Sequence, residues 1–272
     1  MRFCKFFLGL AVLFSPFIAV HNSSASILIT PTQVVLEDRD RFAVVTLVNN
    51  GREVKSYEIG WKAMEMIGGN GGYKDAEYGE GDFDLSQYIV FSPRRVTLVP
   101  GAKQKIRLAL RRPESIPDGD YHTHLMFKSL PNVVDDTLVA LEKDHAEASV
   151  RINVNYTIPV VLRVGQADYS ASIGQMEMVR NTQSGALEAK IPVVRDGKYS
   201  VLGWLKLYHI SADGVEELVG EVSNANLFSE IQNRILTSSV LKELSGGRLR
   251  VVLHYYDFEK NIVYAEREFP LE

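Results

Sequence analysis

The chain has 272 residues, and its 30 Lys and Arg against 34 Asp and Glu give a formal net charge of -4. That balance excludes a surface built as a whole for nucleic acid, because binding phosphates draws on excess positive charge. A hydrophobic content of 46% leaves ample material for a core, and the length suits one or two domains.

Residues 1–25 read as a secretory signal peptide. Arg2 and Lys5 form a short basic head, Phe6 to Val20 is apolar apart from Gly, Ser and Pro, and Ser23 and Ala25 fit the small-residue pattern before cleavage after Ala25. No second apolar stretch of spanning length follows, so stable membrane insertion is not expected. The only cysteine, Cys4, lies within the leader, which leaves the remaining chain without disulfide or thiol chemistry.

From Ile27 onward, period-two alternation predicts strands. "SILITPTQVVLED" is extended, and Pro31 suits an edge strand or a strand that switches sheets. "FAVVTLVNNG" closes on the turn residues Asn49, Asn50 and Gly51. "VKSYEIGWKAMEM" resumes as a strand, and the Gly-rich, acidic Gly68–Asp82 stretch reads as a flexible surface loop. "FSPRRVTLVPGAKQKIRLALRRP" predicts two antiparallel strands turned at Pro100–Gly101. Val96, Leu98, Ile106, Leu108 and Leu110 fall on the inner parity; Arg95, Lys103, Lys105 and Arg107 fall on the outer. "DGDYHTHLMFKSL" and "SVRINVNYTIPVVLRVG" complete about seven short strands, the pattern of a β-sandwich.

The rhythm breaks at Gly165 to Ser172 and restarts. The reading is therefore all-β: a sandwich over 26–164 and a second over 165–272. Within the second, "NLFSEIQNRIL" is the one segment that suits a helical turn.

Few constellations carry chemistry. His122 and His124 share one face of a strand near Asp118 and Asp120, but no third metal ligand is identifiable, and the face reads as solvated or half-buried. The Gly68–Asp82 stretch lacks both the Gly-Lys-Ser/Thr ending of a phosphate loop and the Asp spacing of a calcium loop. No nucleophile elbow, His-Glu-x-x-His or cysteine nucleophile appears. No catalytic residue, metal or cofactor is assigned, and an enzyme is not expected. The basic outer face around Arg95 to Arg107 has no interleaved aromatics for stacking bases, which removes nucleic acid as a partner.

Four segments, "ITPTQVVLEDRDRFAVVTLVNNG", "FSPRRVTLVPGAKQKIRL", "IPDGDYHTHLMF" and "INVNYTIPVVLR", taken in order behind a signal peptide, resemble the PapD-like periplasmic chaperones of pilus and fimbrial assembly, and in particular a divergent fimbrial biogenesis branch. The likeness covers about Ile27 to Arg163. It implies two immunoglobulin-like β-sandwich domains in an L-shaped, boomerang arrangement. It also implies a non-enzymatic chaperone in the periplasm, which binds a pilin-like or fimbrial subunit lacking a strand and delivers it to an outer-membrane usher. Such a chaperone lends its strand to the subunit: backbone pairing supplies affinity and side-chain pockets supply register. A structural or adhesive immunoglobulin-like surface protein is the alternative.

The lent strand would fall in Ala148 to Thr157. Val150, Ile152 and Val154 would enter the subunit, or that apolar set simply faces the chain's own core; Leu138 to Leu141 is a second candidate. The resemblance also implies two basic residues in the inter-domain cleft that hold the subunit's terminal carboxylate. Here their places fall on Gln33 and near Asn155, with Arg151 the nearest base, and Ile158 replaces the arginine before the proline. A neutral amide gives a carboxylate no charge assistance. Either other residues remake the anchor, or strand pairing holds the partner.

Overall fold

The computed structural model describes residues 27–37, 39–78, 83–112, 115–131, 153–168 and 170–271. The leader, Val150, Arg151, Ile152 and the second donor candidate at 138–141 lie outside these residues. No α-helix occurs among the described residues, and none of their helices is long and apolar enough to cross a membrane.

The first domain contains β1 (Ile27–Thr30), β2 (Val34–Leu36), β3 (Phe42–Asn49), β4 (Lys55–Lys62), β5 (Met64–Met66), β6 (Tyr73–Asp75), β7 (Ile89–Ser92), β8 (Arg95–Leu98), β9 (Lys103–Leu110), β10 (Gly119–Leu130) and β11 (Tyr156–Val164). A four-stranded sheet ordered β1-β3-β9-β7 faces a five-stranded sheet ordered β2-β11-β10-β4-β8. This is the immunoglobulin arrangement, with one sheet of A, B, E and D strands packed on another of G, F and C strands. Tyr121, near the start of β10, donates its hydroxyl to the carbonyl of Pro117 at 3.0 Å, the tyrosine corner typical of that fold.

Alternation places the core. Val45, Leu47, Ile106 and Leu108 from one sheet meet Leu125, Phe127, Val160 and Leu162 from the other, all fully buried. Each such side chain contributes roughly 1.5–3 kcal/mol of burial. Pro31 does mark a strand switch: β1 pairs with β3 in one sheet, and two residues after Thr32 the chain, now β2, runs parallel to β11 in the other. The Asn49 turn also holds, because its side chain accepts from Gly51 N–H and donates to the carbonyls of Glu53 and Leu98.

The basic stretch differs from expectation in its connectivity. Its parity is as read, with Arg95, Lys103, Lys105 and Arg107 exposed, but β8 and β9 do not form a hairpin. β8 pairs with β4, and β9 pairs with β3 and β7, so Pro100–Gly101 turns the chain from one sheet to the other. Period-two patterning fixes which face is buried and is silent about which neighbour a strand takes.

The second domain contains β12 (Ala171–Ile173), β13 (Glu177–Arg180), β14 (Leu187–Arg195), β15 (Gly203–Ile210), β16 (Glu216–Val222), β17 (Asn233–Ser239), β18 (Arg248–Tyr255) and β19 (Val263–Pro270). β12 and β13 line one edge of β14 and β17 the other; this sheet faces β16-β15-β18-β19. "NLFSEIQNRIL" is not helical: Leu227 and Phe228 are buried in the core, and Asn233 onward is β17. A run of Leu, Phe, Ile and Leu at irregular spacing satisfies both templates, and packing decided between them.

Two side chains of the first domain belong to the core of the second, Val161 of β11 and Met66 of β5. The outer face of β10 and β11 is therefore a domain interface and not a solvated surface.

Candidate functional site: the inter-domain cleft

Among the described residues, the first sandwich is open along one side. β11 is flanked by β10 from Tyr156 onward, whereas β2 joins its other edge only at Val160. Among the described residues, no strand pairs with that edge at 156–159. β1 has crossed to the opposite sheet there, which leaves a mouth between Ile27 and Ile29 on one side and Tyr156 and Ile158 on the other. The mouth continues into a cleft of about 460 Å³ between the domains.

Burial along the inner parity of this strand is graded. Val154 is 48% exposed, whereas Ile158 is 5% and Val160 0% exposed. The apolar set of the predicted donor strand thus starts outside the core and ends within it. Of the three donor candidates, only Val154 lies among the described residues.

The predicted cleft amides are both engaged. Gln33 is buried, and its Oε1 accepts from Asn226 Nδ2 at 2.8 Å, while Asn226 Oδ1 accepts from Gly203 N–H. Asn155 is exposed and accepts from Ser129 N–H at 2.9 Å, on the side of β10. Gln33 therefore links to the second domain through Asn226, and neither Gln33 nor Asn155 lines the cleft itself.

The cation of the cleft comes from the second domain. Arg234 of β17 lines the floor with Asn224, Asn226, Thr32, His124 and Tyr73. Its Nη1 donates to the carbonyls of Asn226 (2.7 Å) and Asn224 (3.2 Å), and its buried Nε has no hydrogen-bond partner among the described residues. Burial lowers its pKa, and no carboxylate of the described residues pairs with it. A half-buried guanidinium without a counter-ion favours an incoming anion. The sequence did hold a signal for it. Arg234 shares the inward parity of Leu236 and Ser238, and a cation on the buried parity of a strand calls for a partner.

His122 and His124, read as a solvated or half-buried strand face, are instead covered by the second domain. His122 stacks on Phe228 with centroids 4.3 Å apart, and its Nε2 lies 3.1 Å from Glu230. His124 is 2% exposed and neither ring nitrogen has a partner among the described residues. Burial, with help from the neighbouring His122, pushes its pKa down to about 4. Burial would raise the Glu230 carboxyl, but the bond and charge of His122 and the N–H of Met66 hold it below its usual range. No group of three side chains that could hold a metal occurs among the described residues.

A second polar cluster also ties the two domains. Arg163 pairs with Asp120, and Asp120 accepts from Ser200 N–H. Glu37 accepts from Tyr255 and Lys260, each at 2.5 Å.

No family model and no curated protein sequence matches the chain. Among solved structures, the chain is similar to a chain of the Salmonella enterica SafA pilin–SafB chaperone complex, at 10% identity and a TM-score of 0.45, over 92% of this chain and 99% of that one. It is similar to the Escherichia coli chaperone DraB at 13% identity and a TM-score of 0.44, over 91% and 98% of the two chains. It is also similar to a chain of the CsuC–CsuE chaperone–tip adhesion subunit complex of Acinetobacter baumannii, at 15% identity and a TM-score of 0.40, over 91% and 98%.

Proposed function

We propose that this chain is an exported, non-enzymatic chaperone of the periplasm that captures a pilin-like or fimbrial subunit lacking a strand and passes it to an outer-membrane usher. Its units are a leader over 1–25, a subunit-binding domain over 26–164 and a second sandwich over 165–272. The observation that carries this reading is the edge of β11 at 156–159, which no strand among the described residues pairs, set beside the mouth of the sandwich and leading down to Arg234.

A strand entering in line with β2 would run parallel to β11, as β2 does. Its backbone would pair with the free edge, and Val154, preceded by Ile152 and Val150, would fill the subunit's open groove. Its C-terminal end would then arrive at the cleft floor, where Arg234 supplies the charge that Gln33 and Asn155 lack. Covering two open edges at once keeps both proteins from pairing with other chains.

Co-expression with a strand-deficient pilin-like subunit tests the reading. A one-to-one complex that Val150→Glu or Ile152→Glu disrupts is the expected result. A chain that never retains a subunit, or that is found polymerised on the cell surface, overturns it in favour of a structural or adhesive role.

A further inference from the structure

The β5–β6 hairpin belongs to the first domain by sequence and to the second by contact. Met64, Glu65 and Met66 pair with Asp75, Lys74 and Tyr73, and Ile67 N–H closes the turn on the carbonyl of Gly72. Asp75 is ion-paired to Lys62 of β4, and the rest of the hairpin reaches across to the other sandwich. Met66 is 4% exposed within the second core, and its N–H donates to Glu230 at 2.8 Å. The carbonyl of Gly69 accepts from Ile235 N–H at 2.8 Å, and Gly69 bridges Arg234 in parallel, so the turn adds to the edge of β17 that β14 leaves free. Tyr73 sets its ring edge-on to His124, with centroids 5.1 Å apart.

An isolated two-stranded hairpin is marginal in water, and one whose turn reads Gly-Gly-Asn-Gly-Gly starts with a large entropy to lose. This hairpin is ordered by what it docks on, and by the same contacts it restrains the two sandwiches relative to each other. Gly71 has a more specific place. It lies at φ +75°, and a Cβ there would stand 1.9 Å from Nε and 2.4 Å from Cζ of Arg234. The absent side chain is the room that the guanidinium occupies.

We propose that this hairpin is a clasp, its turn joined through Gly69 to the edge of the second domain's β17, and that Gly71 is a positioning residue that holds Arg234 toward the cleft. The clasp stands on contacts within the chain; the positioning role rests on the cleft being the partner's site.

Two full-length variants test it. In the first, residues 67–72 are replaced by Asn-Gly, a turn that closes a short hairpin without reaching β17. Hydrogen exchange should then accelerate at the Ile235 amide by about tenfold or more while the amides of β9 and β18 stay protected, and X-ray scattering in solution should show a broader spread of domain separations. An Ile235 amide that stays slow, with unchanged scattering, overturns the clasp.

In the second, Gly71→Ala should weaken subunit capture by the same factor as Arg234→Ala, with the double variant no weaker than either, and Ile235 should remain protected. Capture equal to wild type, or effects that simply multiply, overturn the positioning role. If the unaltered protein retains no subunit, that role falls with the proposed function, whereas exchange and scattering still decide the clasp.

Discussion

Arg163 and Asp120 face each other on adjacent strands and join through two hydrogen bonds, Nε to Oδ1 at 2.9 Å and Nη2 to Oδ2 at 2.7 Å, with both side chains almost wholly buried. Both residues belong to the first domain, yet the pair is completed by the second. Arg163 also donates to the carbonyl of Ser200 at 2.9 Å, Asp120 accepts from the Ser200 N–H at 2.8 Å, and the guanidinium lies over the rings of Tyr199 and Tyr255. Burial alone would lower the arginine's pKa, but the bonds and charge of Asp120 outweigh it, and the pKa is raised.

Such a pair is worth little against a well-packed apolar replacement and a great deal against its own half. Asp120→Ala is therefore expected to cost about 3–5 kcal/mol in urea unfolding, because it strands a buried guanidinium. Asp120→Ala combined with Arg163→Met should recover much of that loss. A single variant within about 1 kcal/mol of wild type would show that the charge finds water, and the interface would then be looser than these contacts indicate.

The histidine face gives the interface a pH dependence of defined sign. His124 has a folded pKa of about 4, below its unfolded value. Its contribution is fully present above the unfolded pKa near 6.5, declines as pH falls, and is lost below about 4. Glu230, also depressed, adds a loss in the same direction as pH falls through its folded value. The groups facing His124 are His122, Glu230 and Lys62 by charge and Tyr73 by contact. Stability should drop by roughly 3 kcal/mol between pH 7 and pH 4, and His124→Phe should flatten most of that slope. Parallel pH profiles for variant and wild type would remove His124 as the cause.

The sandwiches were legible because alternation is a local property. Val45 and Leu47, or Ile106 and Leu108, announce their buried face within a few residues. What alternation could not reveal is partnership. The outer parity of β10, with Asp120, His122 and His124, reads as a solvated face when the first domain is considered alone. Phe228, Glu230 and Ser200 from the second domain, together with Tyr73 of β6, cover it. Arg234 lay inside a segment whose apolar spacing suited a helix as well as a strand, so its inward parity becomes a signal only once the segment is taken as a strand. Gln33 and Asn155 are uncharged, and the cation that lines the cleft, Arg234, lies about two hundred residues from Gln33 in the sequence.

Val154 separates strand donation from ordinary core packing. It is 48% exposed, so Val154→Glu should leave unfolding stability within about 0.5 kcal/mol of wild type. The same change should weaken subunit capture at least tenfold, because the carboxylate would enter an apolar groove unpaired, at a cost of about 1.4 kcal/mol or more. A variant that loses stability and retains capture would assign the side chain to this chain's own core.

Arg234 decides what holds the end of the captured strand. Its two carbonyl bonds contribute about 1 kcal/mol each to the second domain, so Arg234→Ala should remain folded with modestly reduced stability. If the guanidinium receives the partner's terminal carboxylate, capture should fall by about 2 kcal/mol or more, roughly thirtyfold. Arg234→Lys should recover only part of it, since an ammonium cannot form the two-point contact. The deciding measurement uses a subunit peptide with an amidated C-terminus. Wild type and Arg234→Ala should bind that peptide equally, because the charge they differ in meeting is gone. A peptide whose amidation leaves the difference intact would move the anion from the strand's end to one of its side chains.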